Sequence, residues 1–406
     1  MNKSDELRLK IIKRHHQIQS LKNCLWILKE NWSDGWYLLR KFGVRRWFNF
    51  WYTKFFIVDE GGEFDLLAGI HRRFPTMLKS PRKIEIENTT VCNKKCIFCC
   101  HNHPSQEIRQ QQMSFDNFKK VIDDLPHLRW VNIAGIGSNF LHKDYIRMLE
   151  YLSAKNLNVN FVDEFDFFTE EHSRKVIELG VNSIYISFDG ATKKTYEKIK
   201  VNCNYDKALA NIKTLLRLKK EMNSPFPVIH FRFIVNKLNY REMPDYLELI
   251  HGLENRGTRS RVEFIGLIVF PGIEKYHIGM EEIPDDIVIR TYEKALEYDI
   301  NLYFSHATVK LSPMDYCVRW TEPFILVSGE IIQCCAVLMQ SNREFLKRLS
   351  FGNVFFGKSI RDIWNSRRYR EFRRQVVTPD AKVPLICLDC CAYDTKERAS
   401  KYGTSE

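Results

Sequence analysis

From residue 83 to about residue 304 the apolar positions switch between two periods. Alternating or continuously apolar runs at 83–88, 129–134 (RWVNIA), 158–162 (NVNFV), 183–188 (SIYISF), 228–235 (VIHFRFIV) and 262–270 (VEFIGLIVF) predict strands. Helical spacing fills the gaps. At 115–125 it puts Phe115, Phe118, Val121, Ile122 and Leu125 on one face, behind the N-cap candidate Ser114. At 205–218 it does the same for Ala208, Leu209, Ile212, Leu215 and Leu216, and 143–154, 169–179, 240–251 and 285–298 complete the set. Six β–α units predict an α/β fold, a parallel sheet with outer helices. They are too few for a closed eight-stranded barrel, so a partial (β/α)6 barrel is expected.

Two flanks differ from this core, and the expected domains are 1–80, 81–305 and 306–406. Residues 4–30 carry a rough apolar stripe of Leu7, Ile11, Ile18, Leu21 and Leu25, which predicts a helical N-terminal extension. Residues 36–58 mix Trp36, Trp47, Phe50, Trp51, Phe55 and Phe56 with Arg40, Lys41, Arg45, Arg46 and Lys54. Such a helix can dock on the following domain, grip a substrate tail or lie on a membrane surface, preferred here in that order. Gly61-Gly62 marks a turn before the core.

Composition narrows the class. The 406 residues are 44% hydrophobic, as in a globular protein. No apolar run approaches the roughly 18 residues of a membrane helix. The N-terminus MNKSDELRLK is too polar for a signal peptide. Twelve cysteines without an export signal suit metal ligation in a reducing cytoplasm better than disulfides. The net charge of +12 is concentrated: residues 1–80 hold 15 basic against 8 acidic residues, and residues 341–376 hold 10 against 3. These surfaces are either solvated basic faces or contacts for an anionic partner.

The chemistry lies after the strands. KIEIENTTVCNKKCIFCCHNH, residues 83–103, reads as a strand followed by a loop holding Cys92, Cys96 and Cys99. Three thiolates at C-x3-C-x2-C spacing can bind three irons of a [4Fe–4S] cluster and leave the fourth open. A zinc loop or unrelated core cysteines are the alternatives. In barrels of this kind the chemistry sits at the C-terminal strand edge. There the other unusual loops fall: Ala134-Gly135-Ile136-Gly137-Ser138, Val162-Asp163-Glu164, Ser187-Phe188-Asp189-Gly190 and Asn236-Lys237-Leu238-Asn239.

The cysteine loop, with Phe98 before its last cysteine, resembles the signature of the radical S-adenosylmethionine (SAM) enzymes. That resemblance implies a partial (β/α)6 barrel, a SAM-binding [4Fe–4S] cluster on Cys92, Cys96 and Cys99, and SAM on the open iron. It further implies reductive cleavage of SAM to a 5′-deoxyadenosyl radical that takes hydrogen from a substrate C–H bond. Gly135 and Gly137 match the family's glycine-rich segment, which usually ends in glutamate, whereas this chain has Ser138. Asp163 stands where the family has asparagine. Ser187 and Asp189 are candidates for the SAM ribose or amino acid part, or simply a turn after the strand. Asn239 with Glu242 repeats a family pattern, Asn239 reading as a helix cap. Arg232 could pair the SAM carboxylate, or be an ordinary strand charge. Some members return a hydrogen atom from a cysteine on the far face. Cys203 is the candidate for that role, with a buried small apolar residue as the alternative.

A second cysteine set follows. Cys317, Cys334, Cys387 and Cys390 are spaced as C…G-x4-C…GN…IWNS…C-x2-C, and residues 325–333 read as a hairpin around Ser328-Gly329. This order resembles the SPASM/Twitch domain and implies a small C-terminal domain with a second, auxiliary [4Fe–4S] cluster. Either doublet partner, Cys335 or Cys391, could replace its neighbour, and a zinc ribbon is the alternative. The resemblance implies oxidation, epimerisation or cross-linking of a small, sugar-like or peptide substrate, with a low-potential donor such as flavodoxin or ferredoxin. The basic extension lacks the strands expected of a peptide-leader-binding domain, which leans the reading towards a small, anionic substrate. A cluster or zinc scaffold that binds nucleic acid through its basic surfaces is the competing, non-enzymatic reading.

Overall fold

The computed structural model describes residues 3–57, 74–102, 108–253, 261–279, 282–304, 319–340, 343–377, 384 and 387. The chain forms two compact units. One comprises residues 1–41, 93–102 and 161–309, the other residues 42–92, 103–160 and 310–406. Strand β3 (Asn158–Asp163) lies where the chain passes from one to the other.

In the first unit, β4 (Ser183–Ser187), β5 (Val228–Val235), β6 (Arg261–Gly266) and β7 (Asn301–Phe304) run parallel in that order. β5 shows why the alternation folds this way. Ile229, Phe231, Phe233 and Val235 are buried, whereas His230, Arg232 and Ile234 on its other face are only half-buried. The helices between strands are α5 (Glu170–Glu178), α6 (Lys193–Ile199), α7 (Tyr205–Glu221), α8 (Met243–Gly252) and α9 (Asp285–Glu297). Polar contacts among the described residues fix the long α1 (Lys3–Phe42) to this unit. Arg8 pairs with Asp285 at 2.6 Å, His15 Nε2 meets the Ile300 carbonyl at 3.3 Å, and Tyr37 donates to Ser224 Oγ at 2.9 Å.

In the second unit, β1 (Lys83–Ile86) lies between β2 (Trp130–Ile133) and β8 (Phe324–Ile325), parallel to both. β9 (Glu330–Ile332) is antiparallel to β8, and β10 (Gly352–Asn353) to β9. The hairpin expected at 325–333 forms, turning at Gly329 with φ +92°, a conformation open to glycine. Its helices are α2 (Val44–Phe56), α3 (Phe115–Asp123), α4 (Tyr145–Ala154), α10 (Cys335–Gln340), α11 (Arg343–Leu349), α12 (Ile360–Trp364) and α13 (Arg367–Gln375). The buried Arg373 stacks 4.1 Å over Trp364 and donates to the Leu78 and Trp364 carbonyls, while Trp364 Nε1 donates to the Leu78 carbonyl at 2.7 Å. α12 and α13 are thereby tied to the segment leading into β1.

Four expectations need correction. The first helix does not stop near residue 30 but runs to Phe42, and the break comes at Gly43, whose φ is +84°. Of its expected stripe, Leu7 is instead 51% exposed and Ile11 and Ile18 are half-buried beside the buried Ile12 and His15, while the side chains of Leu21 and Leu25 lie outside the described residues. The apolar run 262–270 leaves the sheet at Gly266. A further strand, β7, follows α9, so the repeat runs one strand beyond the six expected.

Candidate active site

In the first unit the cysteine loop is laced to residues 199–204. Lys95 N–H donates to the Val201 carbonyl and Ile97 N–H to the Ile199 carbonyl, both at 3.0 Å, and Cys99 N–H turns back to Cys96 O at 3.1 Å. Lys94, buried between two cysteines of the motif, pairs with Asp166 and donates to Asn202 O at 3.0 Å. The loop's course is therefore set by protein contacts.

Cys96 and Cys99 are half-buried, as is Phe98. The Cys203 thiol donates to Cys96, and with Lys200 nearby this holds Cys96 below the usual thiol range despite burial. The Cys99 thiol is pushed up by its contact with Cys100 and by burial. Cys203 thus stands beside the cysteine loop itself. Among the described residues no three His, Cys, Asp or Glu side chains converge closely enough to hold a metal ion.

Sequence reasoning missed Lys200. It is buried, with Nζ 2.9 Å from both Asp189 Oδ2 and Ser187 Oγ. Burial works against its charge, but Asp189 and Cys96 hold its pKa well above the ordinary lysine value. Asp189 is fully buried, and its other oxygen accepts from Ile234 N–H at 2.7 Å. Asn239 makes no cap bond. Its side chain joins the loops after β4 and β5 by donating to Asp189 O and Ile234 O. Glu242 accepts from Ala191 N–H, Thr192 and Thr195 at the start of α6.

Arg232 is held by Glu263, Nε at 2.9 Å and Nη2 at 2.8 Å, and lies 4.5 Å over Tyr185. The Glu263 carboxyl, though buried, is held down to about 2 by Arg232, Arg261 and His230. Asp163 ends β3 almost fully buried, with Oδ1 accepting from Phe165 N–H at 2.7 Å and Oδ2 lacking a partner among the described residues. Burial first, then Glu164, pushes its pKa well above the carboxylate range.

In the second unit the glycine loop folds onto the end of β1. A Cβ on Gly135 would stand 2.6 Å from Glu87 Cγ, and one on Gly137 would overlap the Thr89 carbonyl. Ser138 is buried, its N–H donating to Val91 O at 2.9 Å. Glu87 is fully buried and shared: it accepts from Ile136 N–H, Val327 N–H and Arg343, the last at 2.5 Å. Cys92 leaves this unit half-buried, and Cys334 precedes α10, also half-buried. Cys387 is described, whereas Cys317, Cys390 and Cys391 lie outside the described residues.

With this geometry in hand, comparison with known proteins is decisive. The model of the radical SAM superfamily matches residues 86–250, and that of the SPASM iron–sulfur cluster-binding domain residues 317–391. The chain carries a radical SAM domain followed by a SPASM domain. It is an enzyme whose two domains bind SAM at one [4Fe–4S] cluster and hold an auxiliary iron–sulfur cluster. Over 336 residues it is 27% identical to a tungsten-containing aldehyde ferredoxin oxidoreductase cofactor-modifying protein of Pyrococcus furiosus, covering 76% of this chain and 87% of that one. It is 23% identical to the mycofactocin maturase MftC of Mycobacterium tuberculosis, covering 80% and 79%. In fold it is similar to Streptococcus suis SuiB bound to the precursor peptide SuiA, with a TM-score of 0.57 at 14% identity, covering 82% and 77%. Among the described residues of this radical SAM enzyme, no helix is long and apolar enough to cross a membrane.

Proposed function

We propose that this enzyme modifies a peptide by abstracting hydrogen from one of its C–H bonds. Cys92, Cys96 and Cys99 would hold the SAM-binding cluster, and Cys334 and Cys387, with Cys317 and Cys390, the auxiliary one. The donor set fits, being soft thiols on a loop whose backbone is pinned from both sides of Cys96. Bound there, SAM and its cluster supply hydrogen-atom abstraction from an unactivated C–H bond. The protein's part is to hold SAM. Lys200 Nζ, beside Ser187, is the fixed cation for its carboxylate. Gly135 and Gly137, packed on Glu87 and Thr89, form the segment that matches the family's glycine-rich one, and Asp163 Oδ2 is a buried polar atom that could accept from a ribose hydroxyl. Arg232 is committed to Glu263 and so is not assigned to the SAM carboxylate.

The peptide reading draws on SuiB, which is similar in fold and binds a precursor peptide, and on a PqqA peptide cyclase to which this chain is 20% identical over 306 residues. It displaces the lean towards a small anionic substrate. The test is twofold. Deoxyadenosine release from SAM under strong reductant should disappear when Cys92, Cys96 and Cys99 are each replaced by alanine, and persistence would sink the assignment. A short peptide encoded beside the gene should change mass only with SAM and the intact enzyme. An unchanged peptide, with deoxyadenosine release stimulated instead by an aminocyclitol, would return the reading to small molecules.

A further inference from the structure

The N-terminal helix pair lies outside the radical SAM match, and its second member is not spent on docking alone. α2 buries Arg46, Asn49, Phe50 and Thr53, at helical spacing, and Ile57 is buried just after it. Asn49 Nδ2 donates to Arg129 O and Asn156 O, and Thr53 accepts from Asn158 Nδ2 at 2.7 Å. These partners precede or begin β2 and β3, so α2 docks at the N-terminal edge of those strands, away from the edge where the glycine loop lies.

The opposite face carries a second apolar stripe at successive turns. Val44 is 63% exposed, Phe48 52% and Phe56 37%, with half-buried Tyr52 between them. The rings form a continuous row, Phe48 to Tyr52 at 6.2 Å and Tyr52 to Phe56 at 5.1 Å. Cations border it: Arg45 and Lys54 are exposed, and the Arg129 guanidinium lies 5.2 Å over Tyr52. Residues 36–58 contain no Asp or Glu. Protein interfaces also use aromatic residues and Arg, but deplete Lys at the patch and ring it with a polar rim. An acid-free, cation-bordered aromatic row instead complements a surface that is apolar inside and anionic outside.

We propose that the exposed face of α2 seats this enzyme on an anionic lipid surface, with the aromatic row in the headgroup boundary and Arg45 and Lys54 on lipid phosphates. The seat is peripheral, and it places the glycine-loop edge of β1 and β2 towards the aqueous side.

The test uses the full chain, cluster-loaded, in flotation with phosphatidylcholine vesicles and with vesicles in which about a third of the lipid is phosphatidylglycerol. Binding is expected only to the anionic vesicles and should weaken with salt. Phe48→Ser with Phe56→Ser should lower the partition coefficient at least about tenfold, by loss of buried apolar surface. Arg45→Gln with Lys54→Gln should lower it by about fivefold per cation. Circular dichroism and iron content should not change, since none of these side chains is buried. Wild-type protein that stays with the aqueous phase overturns the proposal, as does vesicle binding that the Phe variants leave intact. So does a dimer in light scattering that Phe48→Ser dissolves while vesicles bind nothing, for the stripe would then pair two copies.

Discussion

A lysine inside a polar loop ordinarily reads as a surface charge, and Lys94 and Lys200 show how misleading that can be. Each is buried against a carboxylate, Asp166 far away in sequence for Lys94 and Asp189 across α6 for Lys200. The cysteines were legible because their chemistry is carried by spacing alone. The lysines were not, because their roles depend on loops that meet only after folding. Asp163 makes a prediction at this scale. Its raised pKa means that the folded state keeps a proton the unfolded chain releases, so it destabilises the fold increasingly as pH rises above the ordinary carboxyl value. Asp163→Asn, isosteric and neutral, should therefore melt higher than wild type near neutrality, with the difference vanishing in acid. An equal difference at both pH values would show that folding leaves the Asp163 pKa unshifted. Gly137 makes another. Gly137→Ala drives a methyl into the Thr89 carbonyl, at a cost of about 1–3 kcal/mol. SAM affinity by equilibrium dialysis should fall with it, while iron bound by the C-terminal domain should not.

Among elements, the alternation located β1 to β6 to within a few residues, since a half-polar strand face is a local pattern, but it missed the four-residue β7. α6 escaped notice because KKTYEKI buries only Tyr196 and Ile199, too few for a periodic stripe. The run after β6 misled in the other direction: Leu267 and Phe270 are buried but belong to a loop. The cysteine loop is itself an element, held by one ion pair and a short ladder of backbone bonds. Lys94→Met would leave Asp166 charged and buried, costing about 3–5 kcal/mol in denaturant unfolding. Double replacement, Lys94→Met with Asp166→Leu, should recover much of that loss. Iron retention against a chelator should track the same order, lowest in the single variant. If the single variant unfolds like wild type, the pair contributes nothing to the loop.

At the scale of the molecule, the SPASM-like region is more than an appendage. β8 extends the parallel sheet beside β1, and its hairpin turns back to pair with β10. Arg343→Ala should strand the Glu87 carboxylate and destabilise the chain by about 3–5 kcal/mol. Glycine-loop function should suffer too, since Ile136 N–H shares that carboxylate. Calorimetry and SAM binding on the same variant check both. A loss in one without the other would separate the roles of Glu87.

That shared carboxylate also bears on how such a gene could be shortened. A core cut after residue 304 would expose the free edge of β1, and Glu87 would lose both Arg343 and the Val327 N–H while staying covered by the glycine loop. Trimming the chain to its barrel would therefore require a compensating change at position 87, such as Glu87→Gln, before the remainder could stand alone. Loss of the auxiliary domain in a descendant of this protein should thus leave its mark in β1, far from the deleted sequence.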